Sequence, residues 1–179
     1  MTIAIAVNLV GYNPAWPRMA AQFSAQLDVL GPLLAVVHHI GSTSVVGMVA
    51  KPVIDLMPLV ADLAEFDRKQ GDVEALGYAW HGEYGIEGRR FCTLADADGT
   101  RIAQLHFYEQ SSPHAKRQLA FRDYLRAFPD VAGAYVVEKR RACALFPNDS
   151  TAYSGEKGAW IRGVEVKALA WSVGESANP

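Results

Sequence analysis

Two short stretches hold the residue types that handle phosphate. Gly41 and Ser42 directly follow the apolar run 34–40, LAVVHHI, and Thr43 and Ser44 extend the polar rim. A glycine at a strand end lets the backbone approach a ligand closely. The serine hydroxyl adds a donor for a phosphate oxygen, and a helix starting just after the loop would add free N–H groups. Further on, Asp55 sits inside the apolar run VIDLM. A carboxylate among Val, Ile and Leu carries a desolvation cost unless a cation or backbone N–H groups meet it. Lys51, just upstream, and a bound Mg²⁺ are the candidates. The plain alternatives are an ordinary turn at Gly41-Ser42 and a strand-end cap or Arg partner for Asp55.

Basic residues are the other half of a phosphate site. Arg89 and Arg90 follow the glycine-bearing turn GIEG, Arg122 and Arg126 stand four apart, and Lys157 lies near the start of a late helix. A spacing of four puts two arginines on one helix face, where they can converge on an anion. Arg90 and Arg122 are the preferred pair; the alternative for each is a solvated surface charge. His39 and His106, if they converged with Asp55, would suit a transition metal; the alternative for His39 is a satisfied core histidine.

Several elements must position these groups. Residues 16–30 repeat apolar side chains every three or four positions and stop at Gly31-Pro32, which predicts a helix. LAVVHHI (34–40) and PVIDLMPLV (52–60) read as strands, the second apolar on nearly every position and therefore central in a sheet. Residues 62–77 read as a helix weakened by Gly71. Asp98-Gly99 marks a hairpin between strands near 89–95 and 101–108. Ser112-Pro113 starts a helix that Pro129 ends. A second helix runs to Pro147, a third covers 155–173, and the tail GESANP is expected to fray. The order predicts an α/β (α+β) chain: a small mixed β-sheet in about 1–111, with C-terminal helices in about 112–172 packed beside it, all one domain.

Composition narrows the partners. The 179 residues carry a net charge of −2, so steering toward nucleic acid is not indicated. Charge is uneven: residues 1–112 hold 7 basic and 12 acidic side chains, residues 113–179 hold 10 and 7. That asymmetry either places an anion-attracting face on the second part or reflects solvated helix faces. Cys92 and Cys143 stand apart from any CxxC or Cys/His cluster, which argues against structural zinc. No apolar run is long enough to span a membrane, and the N-terminus lacks a basic n-region. The expected compartment is the cytoplasm.

Five blocks then add a family resemblance. HIGSTSVVGMVAKPVIDL, GEYGIEGRRF, LHFYE, LAFRDYLRAFPDVAGAYVVEKRRA and YSGEKGAWI occur in this order over nearly the whole chain. Together they resemble the GrpB family, a branch of the nucleotidyltransferase superfamily that includes DNA polymerase beta. The resemblance implies a small mixed sheet with the Gly-Ser loop on one side. It implies a nucleoside triphosphate held at Gly41, Ser42 and Thr43, Mg²⁺ on Asp55, and phosphate charge offset by Lys51, Arg90 and Arg122. In the wider superfamily two carboxylates spaced one apart hold the metal and a third comes from a later strand. Here the second position is Met57, a thioether with little affinity for Mg²⁺. The third falls on the strand of His106 and Glu109. His38 and Val46 stand where the family usually has Glu and Pro, and Gln104-Leu105-His106 where it often has His-x-His. The expected function is nucleotidyl transfer to an unknown acceptor. The alternative is a nucleotide- or anion-binding module that has lost its second carboxylate. A third reading is an accessory role, since such domains occur fused to dephospho-CoA kinase. No kinase P-loop is present.

Overall fold

A computed structural model describes residues 6–176, and the side chains of 6–174. Helix α1 (Trp16–Gln26) passes into a 3₁₀ stretch, Leu27–Leu33, where Gly31 breaks the winding with φ 63°. Strands β1 (Leu34–Ile40) and β2 (Ile54–Val60) follow, then two short helices, α2 (Leu63–Asp67) and α3 (Gln70–Ala75). The helix expected over 62–77 is thus split. Asp62 caps α2 by accepting from the Glu65 amide. A two-residue strand β3 (Ala79–Trp80) precedes the hairpin of β4 (Arg90–Ala95) and β5 (Arg101–Glu109). The helices α4 (Pro113–Ala127), α5 (Pro129–Leu145), α6 (Ser150–Glu156) and α7 (Gly158–Ser176) close the chain. The sequence reading missed β3 and α6. Of the tail expected to fray, 174–176 belong to α7, and 177–179 lie outside the described residues, as does the start of the N-terminal stretch. No helix among the described residues is long and apolar enough to cross a membrane.

The sheet order is β1-β2-β5-β4-β3. β1 runs antiparallel to β2, β2 parallel to β5, and β4 antiparallel to both β5 and β3. β2 is therefore interior, as its mostly apolar run leads one to expect. Strand side chains alternate between the two faces, and that parity organises the molecule. Ile54, Leu56 and Val60 of β2, with Ala103, Leu105 and Phe107 of β5, pack against Trp16, Ala20, Leu63, Phe66 and Val73 of α1 to α3. The other face carries Met57 and Leu59 of β2 and Tyr108 of β5, which pack with Ile40 against Ala115 and Leu119 of α4. A third cluster joins Val45 and Met48, from the loop after β1, to Leu125 and Tyr135 of α4 and α5. The helical part thus covers one sheet face and clasps the loop that carries Gly41 and Ser42. Burying about twenty large apolar side chains in these clusters, each worth roughly 1.5–3 kcal/mol, fixes the seam between sheet and helices.

Candidate phosphate and metal site

Asp55 stands at the open end of β2, opposite Ile40 of β1 and beside Gln104 of β5. Its parity turns it toward the helical part, on the same face as Met57. The chain leaves β1 at Gly41 with φ 68°, the left-handed region that favours glycine. A Cβ at Gly41 would meet Oδ2 of Asp55 at 2.6 Å. The loop and the carboxylate are therefore in direct contact, and only glycine permits it. A single 3₁₀ turn, Ser42–Ser44, follows, closed by the Ser44 hydroxyl donating to the Gly41 carbonyl at 2.6 Å. The longer helix start that would have supplied several free amides is absent.

A cavity of 210 Å³ opens between this loop and the C-terminal helices, lined by Gly41, Ser42, Asp55 and three lysines, Lys51, Lys139 and Lys157. Lys139 is 1% exposed. Its ammonium donates to Ser42 Oγ at 2.5 Å and to the Val49 carbonyl at 2.7 Å, and lies 4.4 Å from the centre of the Tyr135 ring. Lys157 sits over the Tyr153 ring at 4.0 Å, and Lys51 donates to the Ser150 hydroxyl at 3.0 Å. Burial lowers all three lysines below the ordinary range: Lys139 to about 7, Lys157 to about 8, and Lys51 in the same direction. Neighbouring positive charge adds to this, Lys157 acting on Lys139 and Lys51 on Lys157. Three cations crowded around one small cavity are stabilised by an anion placed between them.

A second cavity of 240 Å³ lies on the other side of Asp55 and shares Gly41, Ser42 and Tyr135 with the first. His106, Gln118, Arg122 and Glu165 add its polar wall. A third, of 580 Å³, adjoins the lysine cavity through Lys51, Val53 and Gln104. The second and third cavities each share lining residues with the lysine cavity, and Asp55 lines both the lysine cavity and the His106 cavity.

The sequence-predicted residues divide. Gly41, Ser42, Lys51 and Asp55 come together at the lysine cavity. Thr43 also lines it, but is fully buried and bonded to Nε2 of His39 at 2.9 Å, so its hydroxyl braces the loop. His39 pairs with Leu56 in register, which turns it to the face opposite His106. Burial drops His39 to about 4, and the two histidines do not converge. Arg122 lines the second cavity, where its guanidinium reaches the His39 carbonyl at 3.2 Å and Asp123 at 2.7 Å. Arg126 grips the Ser44 carbonyl with two N–H groups. Arg122 thus holds the end of β1 and Arg126 the loop after it, and neither lines the lysine cavity. Arg90 shares the parity of Cys92 and Leu94, which belong to the α1–α3 face, and is bound to Asp67 of α2 at 2.5 and 2.7 Å. It lines none of these three cavities. Sequence reasoning missed Lys139, Tyr135 and Tyr153 and gave Lys157 little weight. The signal for the first two was their spacing of four in AYVVEK, which puts both on one helix face.

Metal capacity is limited. Oδ1 of Asp55 lies 3.5 Å from Nε2 of His106, a separation one ion could bridge. Nδ1 of His106 is buried without a hydrogen-bond partner among the described residues, so the outer contact that usually fixes a metal-bound imidazole is missing. Met57 is fully buried with Ile40, Leu59 and Tyr108 and offers no oxygen. Glu109 accepts the Leu63 amide at the start of α2, away from Asp55. Among the described residues no three His, Cys, Asp or Glu side chains cluster. The donor set does not fit a two-metal centre. It fits one hard cation on Asp55, completed by ligand oxygens and water.

Known proteins agree with this architecture. YqkA of Bacillus subtilis is 36% identical over 171 residues, 95% of this chain, but the match covers 49% of that protein, so the chain spans about half its length. The crystal structure of the conserved protein GrpB from Enterococcus faecalis superimposes with a TM-score of 0.86 at 32% identity, covering 92% of this chain and 99% of that one. The Cid1 poly(U) polymerase aligns at a TM-score of 0.51 with 11% identity, over 75% of this chain and 42% of that one. At that identity the likeness speaks for the nucleotidyltransferase fold alone. The GrpB protein family model matches residues 6–167, and the chain belongs to the GrpB family.

Proposed function

We propose that this chain binds the phosphates of a nucleoside triphosphate in the lysine cavity, with a divalent cation on Asp55, and passes a nucleotidyl group to an acceptor. The observation that carries this reading is the convergence of Gly41-Ser42, Asp55, the buried Lys139 and the half-buried Lys51 and Lys157 on one small cavity. Like charges held close together out of bulk water raise one another's energy unless a counter-charge lies between them. A triphosphate supplies that charge. Its nucleoside extends into the adjoining 580 Å³ cavity. The acceptor approaches through the His106 cavity on the far side of Asp55. Its hydroxyl oxygen bonds to the α-phosphorus and gives up its proton to water, the α–β bridging bond breaks, and pyrophosphate leaves against the lysines. Asp55 would hold a divalent ion that neutralises phosphate charge there. Structures of the distantly similar Cid1 with a UTP analogue and with MgATP support the choice of ligand class.

Met57 favours a second reading, in which the chain binds a nucleotide or another phosphate-bearing molecule without turnover. Calorimetric titration with ATP, GTP, CTP and UTP, with and without Mg²⁺, tests both. Expected is Mg²⁺-dependent binding that weakens at least about tenfold in Ser42→Ala, the loss of one hydrogen bond to a charged group. Absence of binding by the folded protein overturns the phosphate reading. Binding without pyrophosphate release, whatever hydroxyl acceptor is offered, selects the second.

A further inference from the structure

Gln104 stands on β5 as the register partner of Asp55 on β2, so the two side chains share one sheet face. It is half-buried and lines both the lysine cavity and the adjoining 580 Å³ cavity. Lys51 and Val53 are the other residues that line both, which makes Gln104 the one neutral hydrogen-bonding side chain at the junction. Polar neighbours there are already engaged. Lys51 donates to the Ser150 hydroxyl at 3.0 Å, and Thr93 Oγ1 is bonded to Nε2 of His81 at 2.8 Å. The Gln104 carboxamide has no hydrogen-bond partner among the described residues. It therefore offers an acceptor oxygen and an NH₂ donor side by side. A vicinal pair of hydroxyls answers both at once. With phosphates among the lysines and a nucleoside in the larger cavity, the sugar is the part of the ligand that crosses this junction.

We propose that Gln104 is a specificity-determining residue that reads the cis-diol of a ribose, its carboxamide accepting from one ring hydroxyl and donating to the other. This deepens the nucleotide reading above and rests on it. The substrate class is then ribonucleoside rather than deoxyribonucleoside triphosphates. A deoxy sugar leaves one half of a half-buried amide unmatched, and a site built to bond a hydroxyl rejects the analogue that lacks it. The contact is to the sugar, so the discrimination is the same for a purine and a pyrimidine nucleotide. An amide oxygen next to Asp55 has one competing task, as a ligand to a hard cation. That task makes Gln104 matter for Mg²⁺ and phosphates whether or not a sugar is present, and the two are separable on that point.

The test is calorimetric titration with the Mg²⁺ complexes of ATP, 2′-deoxy-ATP, 3′-deoxy-ATP and, as a probe without sugar, inorganic tripolyphosphate. The proteins are wild type, Gln104→Leu, which keeps the bulk of the side chain, and Gln104→Ala, which leaves the junction open. In wild type each deoxynucleotide should bind about three- to tenfold more weakly than ATP, the worth of one hydrogen bond. In both variants that ratio should fall to about one while tripolyphosphate affinity stays within about twofold of wild type, because the lost bonds are to the sugar alone. UTP against 2′-deoxy-UTP should repeat the wild-type ratio. Equal binding of ribo- and deoxynucleotides by wild type, or a preference that survives in both variants, overturns the proposal and leaves the phosphate site standing. Loss of tripolyphosphate binding in folded variants makes Gln104 a partner of the metal or the phosphates and overturns it too. If neither ATP nor tripolyphosphate binds the folded wild type, the phosphate reading itself fails and the sugar reading falls with it.

Discussion

Gly41 is where the loop and the carboxylate meet most tightly. Its φ is 68°, and a methyl there would stand 2.6 Å from Oδ2 of Asp55. Gly41→Ala should destabilise the fold by about 1–3 kcal/mol, from the left-handed backbone and the displaced carboxylate together. Chemical denaturation checks this, and the cost should shrink in an Asp55→Ala background, where the clashing oxygen is gone. Lys139 gives a prediction for stability against pH. Burial lowers Lys139 to about 7 from the 10.5 of a free lysine. Between these limits the unfolded chain binds more protons, so stability of the free protein should rise with pH, by up to about 1.4 kcal/mol per unit. Lys139→Met should flatten that rise in denaturation curves from about pH 7 to about pH 9. Gly41, Ser42, Lys51 and Asp55 were legible because they lie close together in sequence and break an apolar pattern. Lys139 was not, because it meets Ser42 across 97 residues, and a lysine on a helix reads as solvated until packing buries it.

At the scale of elements, strand parity decides which residues can take part. Asp55 and Met57 share the inner face of β2, yet Asp55 lies at its open end and Met57 one pleat deeper, fully buried against Tyr108 and Ile40. Met57→Asp would not restore a second metal ligand. It should cost about 3–5 kcal/mol through an unpaired buried carboxylate and leave Mg²⁺ affinity unimproved, read by denaturation and calorimetry. Arg90 shows the same rule from the other side, since its parity sends it to Asp67 beneath the sheet. That parity was readable from RRFCTL, where Arg90 alternates with Cys92 and Leu94. Helix α4 acts on the loop through Arg126, whose two N–H groups hold the Ser44 carbonyl. Arg126→Ala should cost about 1–2 kcal/mol and speed amide exchange at 43–45, and Arg126→Lys, lacking the fork, should recover only part. The strands expected at 34–40, 52–60, about 89–95 and 101–108 form at 34–40, 54–60, 90–95 and 101–109, legible from two apolar runs and from alternation on either side of the Asp98-Gly99 turn. The break between α2 and α3 and the separation of α6 from α7 were not, because caps such as Asp62 and Asp149 act through geometry that spacing does not reveal.

The molecule is a sheet between two helical layers, with the site at the seam between the sheet and the C-terminal helices. The sheet part contributes Gly41, Ser42, Lys51 and Asp55; the helical part contributes Tyr135, Lys139, Tyr153 and Lys157. The basic excess of residues 113–179 is thus partly spent inward, on a cavity, rather than on a solvated face. A seam site couples ligand binding to the docking of helices on sheet, so a ligand that neutralises the lysines should also raise the unfolding midpoint. The most direct measurement is a crystal structure of the protein grown with Mg²⁺ and a non-hydrolysable nucleoside triphosphate at saturating concentration. Expected are phosphates between Ser42 and the three lysines, with one metal ion on Asp55. A folded protein whose lysine cavity stays free of phosphate, or whose nucleotide lies elsewhere on the surface, would contradict the proposed site.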